Sequence, residues 1–264
     1  VKIYVANQPR NLGLCAARNL GISLAKGNLI MMGEDDVILM PNHVEVLVNE
    51  FYRFHGGIFT GRVFRLFDKE SFLHAKKRSK NNRSPAVHIN RMAIRMDPNL
   101  LDTSEIIYSH ALVLTSLESA KQVQYDCNYS GPTFVREDND FCLQARNLGY
   151  KIYICPNAES YHLPRIDSYG SGCRKGNSIF ISALSLALNN LIFIDRHYHL
   201  LRQNGLKRSK ILISFILIFR DIKNLILRTI EGRYRVGRIL IKSFRRILST
   251  MYKWRNILNA FNRI

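Results

Sequence analysis

The chain has 264 residues, 47% hydrophobic and 10% aromatic, which is a globular composition long enough to bury a sizeable core as one domain with an appendage or as two small ones. Its five cysteines are odd in number, scattered and without CxxC spacing; this argues against a disulfide framework or zinc site and for a reduced, cytosolic compartment. The net charge of +19 is uneven, since seventeen Lys and Arg but only two acids lie from Arg196 onward.

The first residue is Val1, and "KIYVAN" (2–7) alternates as a core strand does, so the sequence is expected to begin inside a domain. A Pro/Asn/Gly turn follows. Next comes "LCAARNLGISLAKG" (14–27), where Leu14, Ala17, Ile22 and Ala25 suit a helix closed by Gly27. "NLIMMG" (28–33) reads as a short buried strand. Strand, helix and strand in this order predict a βαβ unit with parallel pairing. Glu34, Asp35 and Asp36 then gather at a strand end, where open α/β sheets bind ligands. Clustered like charges are costly unless a cation or substrate uses them.

"PNHVEVLVNEFYRF" (41–54) predicts a helix, with Val44, Leu47, Val48 and Phe51 on one face, and "GIFTGRVFRLF" (57–67) the next strand. Residues 72–99 read as an irregular, basic surface loop. "IIYSHALVLTS" (106–116) and "YKIYICPNAESYH" (150–162) read as strands. Between them "REDNDFCLQARNLGY" (136–150) predicts a helix with an acidic first turn. His43, His55, His74, His88 and His110 show no ligand spacing.

The tail has a different character. "ILISFILIF" (211–219) is nine apolar residues, far short of the roughly 20 that span a bilayer. From Val236 onward, apolar residues recur at steps of three and four, with Arg238, Lys242, Arg245 and Lys253 mostly between them. That pattern predicts a basic amphipathic helix.

Two blocks carry a family resemblance. "NLGLCAARNLGISLAKGNLIMMGEDDV" resembles the N-x-G-x-x-x-A-R-N-x-G…A-x-G…D-D-D segment of family 2 glycosyltransferases, the GT-A nucleotide-sugar transferases. "REDNDFCLQARNLGYKIYICPNAESYH" resembles their E-D-x-D…R…G-Y…P-x-A…H segment, in matching order and separation. The likeness covers about residues 2–162, and "LALNNLIFIDRHYH" (186–199) is weakly similar to the family's following helix. Glu34 stands where many members have Asp, and Gly33 replaces a bulkier residue. The family's opening strand–helix–strand, with its base-reading aspartate, has no counterpart here.

The resemblance implies a GT-A-like α/β fold, its sheet mostly parallel, flanked by helices and incomplete at the amino end. It implies a catalytic domain over 1–203 and a basic helical tail over 204–264. It also implies an inverting, metal-dependent transfer from a nucleotide-sugar donor to a glycan, polysaccharide or lipid-linked acceptor. By the same likeness Asp36 is a ligand of Mg²⁺ or Mn²⁺, Glu34 assists it, and His162 is a third ligand. Asp35 faces the donor ribose, and Arg18 and Asn19 orient acids or phosphates. Asp138 is the general base, with Glu137 positioning it or the acceptor, while Asp140 is left structural. Hard cations prefer carboxylate oxygens, and neighbouring acids lift a carboxylate's basicity.

Plainer alternatives stand beside these roles. Each acidic knot also suits the first turn of a helix, where anions are favoured. His162 is equally a satisfied polar residue, and Arg18 and Asn19 are equally packing residues. Arg174 and Lys175, in a Gly-rich loop, either cover the diphosphate or sit on a flexible connector. The tail is expected to lie on an anionic membrane surface, on the cytoplasmic face of the cell membrane, or else to pack on the domain. It lacks a nucleic-acid-binding module, and no nucleic-acid partner is expected. The rival functions are a non-catalytic remnant that binds glycans or partners and, further off, a basic nucleic-acid binder.

Overall fold

The structure is a computed structural model, which describes residues 2–6, 10, 12–67, 69–80, 85–129, 135–164 and 179–233. Its contacts divide the chain into a unit Val1–Ile218 and a unit Phe219–Ile264. The Gly-rich loop with Arg174 and Lys175, Cys173, and the helix predicted beyond Val236 lie outside the described residues. No helix among the described residues is long and apolar enough to cross a membrane.

In chain order the elements are α1 (Leu14–Leu24), β1 (Leu29–Met31), β2 (Val37–Leu39), α2 (His43–Arg53), β3 (Ile58–Arg65) and α3 (Phe72–Lys80). There follow β4 (Val87–His88), β5 (Ala93–Ile94), β6 (Ser104–Ile106), β7 (Val113–Ser116), α4 (Leu117–Val123) and α5 (Glu137–Asn147). The last three are β8 (Ile152–His162), α6 (Ile179–Gln203) and α7 (Lys210–Arg233).

The main sheet runs β1-β7-β3-β8-β2, with β6 also paired to β8. Helices cover both faces. Ile58, Val113 and Ile152 pack with Phe141 of α5 and Phe193 of α6 on one face. Phe59, Leu114 and Tyr153 pack with Leu47 of α2 on the other. Neither strand face of the central pair meets water, which explains the unbroken apolar run in β3.

The sheet is mixed rather than mostly parallel. Among the described residues only β3 and β8 run parallel; β1–β7, β3–β7, β2–β8 and β6–β8 are antiparallel. The expected βαβ unit is not formed, because residues 2–6 make no strand. Ile3, Tyr4 and Val5 are all at least 80% exposed. Alternation supplies a face, but a strand also needs a ladder, and among the described residues β1 pairs only with β7.

Three other expectations change. Residues 72–99 hold α3, the β4–β5 hairpin and a 3₁₀ turn at Ile89–Arg91 instead of an irregular loop. Phe72 stacks on Tyr161 at 4.3 Å and Ala75 is fully buried, so two apolar anchors hold a helix whose other residues are largely polar. The strand expected over 106–116 divides into β6 and β7, because Tyr108, Ser109 and His110 turn inward between them. The helix similar to 186–199 extends over the whole of α6. Two elements were not anticipated, β2 and α4; α4 starts where the Ser116 side chain accepts the Ser119 N–H at 3.0 Å.

The register of β3 against β8 shifts between Gly61, opposite Cys155, and Arg62, opposite Glu159. Residues 156–158 bulge toward α2 there. A Cβ on Gly61 would lie 2.1 Å from the Ala158 carbonyl oxygen and 2.6 Å from the His43 ring. Gly61→Ala is therefore expected to destabilise the unit by about 3 kcal/mol, read as a fall in the denaturant midpoint. A midpoint matching wild type would show that the bulge yields.

Candidate active site

Sheet pairing builds half of the site. β2 opposes β8 with Val37 across from His162, and the Leu163 N–H donates to the Asp36 carbonyl at 2.8 Å. The turn between β1 and β2 carries Glu34, Asp35 and Asp36, so register delivers His162 to those acids. His162 Nε2 lies 3.5 Å from Asp36 Oδ2. One ligand atom each from Glu34, Asp36 and His162 falls within 4.8 Å of the others. Asp35, in the same turn, is exposed.

This donor set fits a divalent cation. His162 Nδ1 lies 2.9 Å from the Leu163 carbonyl, which only accepts; a proton on Nδ1 satisfies that contact and leaves Nε2 as the ligand atom on the Asp36 side. Metal-binding imidazoles are oriented in this way. Two carboxylates and one imidazole suit Mn²⁺, and the carboxylates suit Mg²⁺.

The other half comes from α1 and α5. Arg18 of α1 donates through Nη1 to Asp138 Oδ1, and the same nitrogen lies 3.8 Å from Glu137 Oε1. Burial, with Asp138 beside it, pushes the Glu137 carboxyl well above the usual range. Burial also raises Asp138, against the pull of Arg18. Glu34 is exposed at its surface, yet the protein around it raises its carboxyl, with Asp138 and Asp36 adding like charge. Glu34 is thus within electrostatic reach of acids from both knots.

Arg18 is itself held. Its guanidinium lies over the Tyr125 ring at 4.8 Å, and that ring stacks on Phe141 at 4.6 Å. The Asn19 amide engages the Tyr125 backbone twice: Nδ2 donates to its carbonyl at 2.8 Å and Oδ1 accepts its N–H at 2.7 Å. Both polar ends of Asn19 face this backbone, so its contribution to the cleft runs through Tyr125 and Arg18.

The start of α5 is fixed by buried polar groups. Arg136 caps it with φ at 86°, donating to Asn190 of α6 at 2.9 Å, Asn139 at 3.1 Å and the Met92 carbonyl at 3.2 Å. Asp140 is fully buried and accepts from Tyr129 at 3.0 Å, Arg196 at 3.1 Å, His197 at 2.6 Å and Gln144. Burial opposes its ionisation, but these partners outweigh burial and hold its carboxyl below the usual range. Asp140→Asn turns an acceptor into a donor among donors, and is expected to cost about 3 kcal/mol or more in thermal unfolding. A loss under about 1 kcal/mol would show that Asp140 does not bind α5 to α6.

Sequence reasoning missed Tyr125, Arg136, Asn190, Arg196 and His197. None carries a local signal, because each is placed by partners on a distant helix.

Two solved structures resemble the chain. GalNAc-T7 with UDP, GalNAc and Mn²⁺ aligns with a TM-score of 0.50 at 12% identity, over 71% of this chain and 38% of that one. S. aureus TarS 1–349 aligns with a TM-score of 0.41 at 15% identity, over 85% of this chain and 64% of that one. Residues 1–123 match the family described as Glycosyl transferase family 2. Arg18, Glu34 and Asp36 lie within the match, and Asp138 and His162 beyond it. The chain spans less than two thirds of either solved relative. No curated protein sequence matches it.

Proposed function

We propose that this chain transfers a sugar, with inversion, from a nucleotide-diphosphate donor to a glycan, polysaccharide or lipid-linked acceptor, using Mg²⁺ or Mn²⁺. One observation carries the reading: the Glu34, Asp36 and His162 ligand atoms converge within electrostatic reach of Asp138, which adjoins the buried Glu137. When bound, the cation neutralises the diphosphate as it departs. Asp138 takes the proton from the acceptor hydroxyl as its oxygen attacks the anomeric carbon. The bond from that carbon to the diphosphate oxygen breaks on the opposite face, and the nucleotide leaves with the electron pair.

The remaining residues prepare this step. Arg18 holds the Asp138 carboxylate in place and moderates its basicity, and Tyr125 and Asn19 hold Arg18. Glu137, raised by burial, keeps its proton and spares Asp138 a second charge. Asp35, exposed beside the candidate ligands, is assigned to the donor ribose. The catalytic domain is taken as 1–203. The basic region 204–264 is assigned to an anionic membrane surface on the cytoplasmic side.

The test is donor turnover by the full chain across a panel of nucleotide sugars, with Mn²⁺, with Mg²⁺ and with chelator. Metal-dependent release of nucleotide from at least one donor is expected. Metal-independent release, or none from any donor in the presence of a Mn²⁺ ion that binds, would refute the reading.

A further inference from the structure

Arg62 is a cation that nothing assigned so far uses. It lies on β3 at 7% exposure, and its Nε and Nη2 are buried without a hydrogen-bond partner. Its nearest ion-pair partner, Glu159, lies 4.0 Å from Nη1. The other Glu159 oxygen already accepts from Lys76 Nζ of α3 at 2.7 Å. Asp97 is within electrostatic reach of Arg62, but it pairs with Arg95 at 3.3 Å. Three cations therefore share two carboxylates, and the guanidinium rests on the Phe64 ring at 4.9 Å. Filling this volume needs only an apolar side chain, which is commonly more stable than a buried charge. A fork of free N–H groups instead matches the oxygens of phosphate or carboxylate.

Arg62 lies three residues before Arg65 on β3, so the two side chains leave opposite faces of the strand, and Arg65 is the register partner of His162. α3 is tied to the same strand end, where Arg78 Nη2 donates to the Arg65 carbonyl at 2.6 Å. The Lys76 side chain, 38% exposed, gives this positive group a solvent-facing side. The cluster thus lies between β3 and α3.

We propose that Arg62, with Lys76, binds an oxyanion (phosphate or carboxylate). The site rests on the geometry alone.

Inorganic phosphate is the probe, and the readout is thermal unfolding of the full chain at constant ionic strength. Wild type is expected to gain about 3–5 °C at a tenfold excess over Kd, with no gain from chloride. Arg62→Met is expected to unfold at or above the wild-type temperature and to show no gain. Lys76→Met, altered at a half-exposed position, frees Glu159 for Arg62 and is expected to weaken phosphate binding about tenfold. No gain in wild type overturns the site, as does an undiminished gain in Lys76→Met, whether or not Arg62→Met folds. UDP supplies the second arm: its stabilisation is expected to survive in Arg62→Met, and its loss there would show that Arg62 belongs to the donor site and would overturn a separate anion site.

Discussion

Asp138→Asn is expected to lower sugar transfer by about 10²–10⁴-fold while leaving donor binding near wild type. The amide keeps the shape of the side chain and loses the ability to take a proton. Wild-type activity should fall on the acid side as Asp138 protonates, at a pH above the ordinary carboxylate range, because burial raises this group against the pull of Arg18. The sign follows from the role: a base works only unprotonated, so a raised value moves the acid limb upward. Single-turnover transfer across pH measures both effects. A variant with wild-type turnover would remove Asp138 from the chemistry, and an acid limb at the ordinary aspartate value would contradict its buried setting.

Asp36→Ala is expected to weaken Mn²⁺ binding by about 10²-fold or more, since it removes one of three candidate ligands and the negative charge beside His162. Titration calorimetry with the metal alone reads this without any substrate. Transfer should fall in parallel and recover partly at high Mn²⁺, which separates lost affinity from lost folding. If Asp36→Ala binds Mn²⁺ as wild type does, the cation has another home and the Glu34–Asp36–His162 cluster is only a polar turn.

The helices and central strands were legible because their signals are local. Apolar spacing marked α1, α2 and α5, and unbroken apolar runs marked β3 and β8. The acidic knots stood out by charge, and their likeness to one family suggested a shared cleft; Glu34 is within electrostatic reach of Asp138. Ladder partners were not legible. The parallel expectation failed because strand direction in a sheet is set by residues far apart in sequence, such as Leu29 against Ser116. β2 and the β4–β5 hairpin were too short to show periodicity, and α3 depends on Tyr161 for its anchor. Within the site, Tyr125, Arg136 and His197 were silent for the same reason: their function is to hold another side chain, and no spacing records that.

Asp140 has a consequence for how the molecule can be divided. Two of its donors, Arg196 and His197, arrive from α6, so the acid-bearing turn of α5 leans on residues some fifty positions downstream. A fragment cut at the close of β8 would retain every candidate ligand and the candidate base. It would still lose two of the four side chains that donate to Asp140, and its acid-bearing turn is expected to loosen.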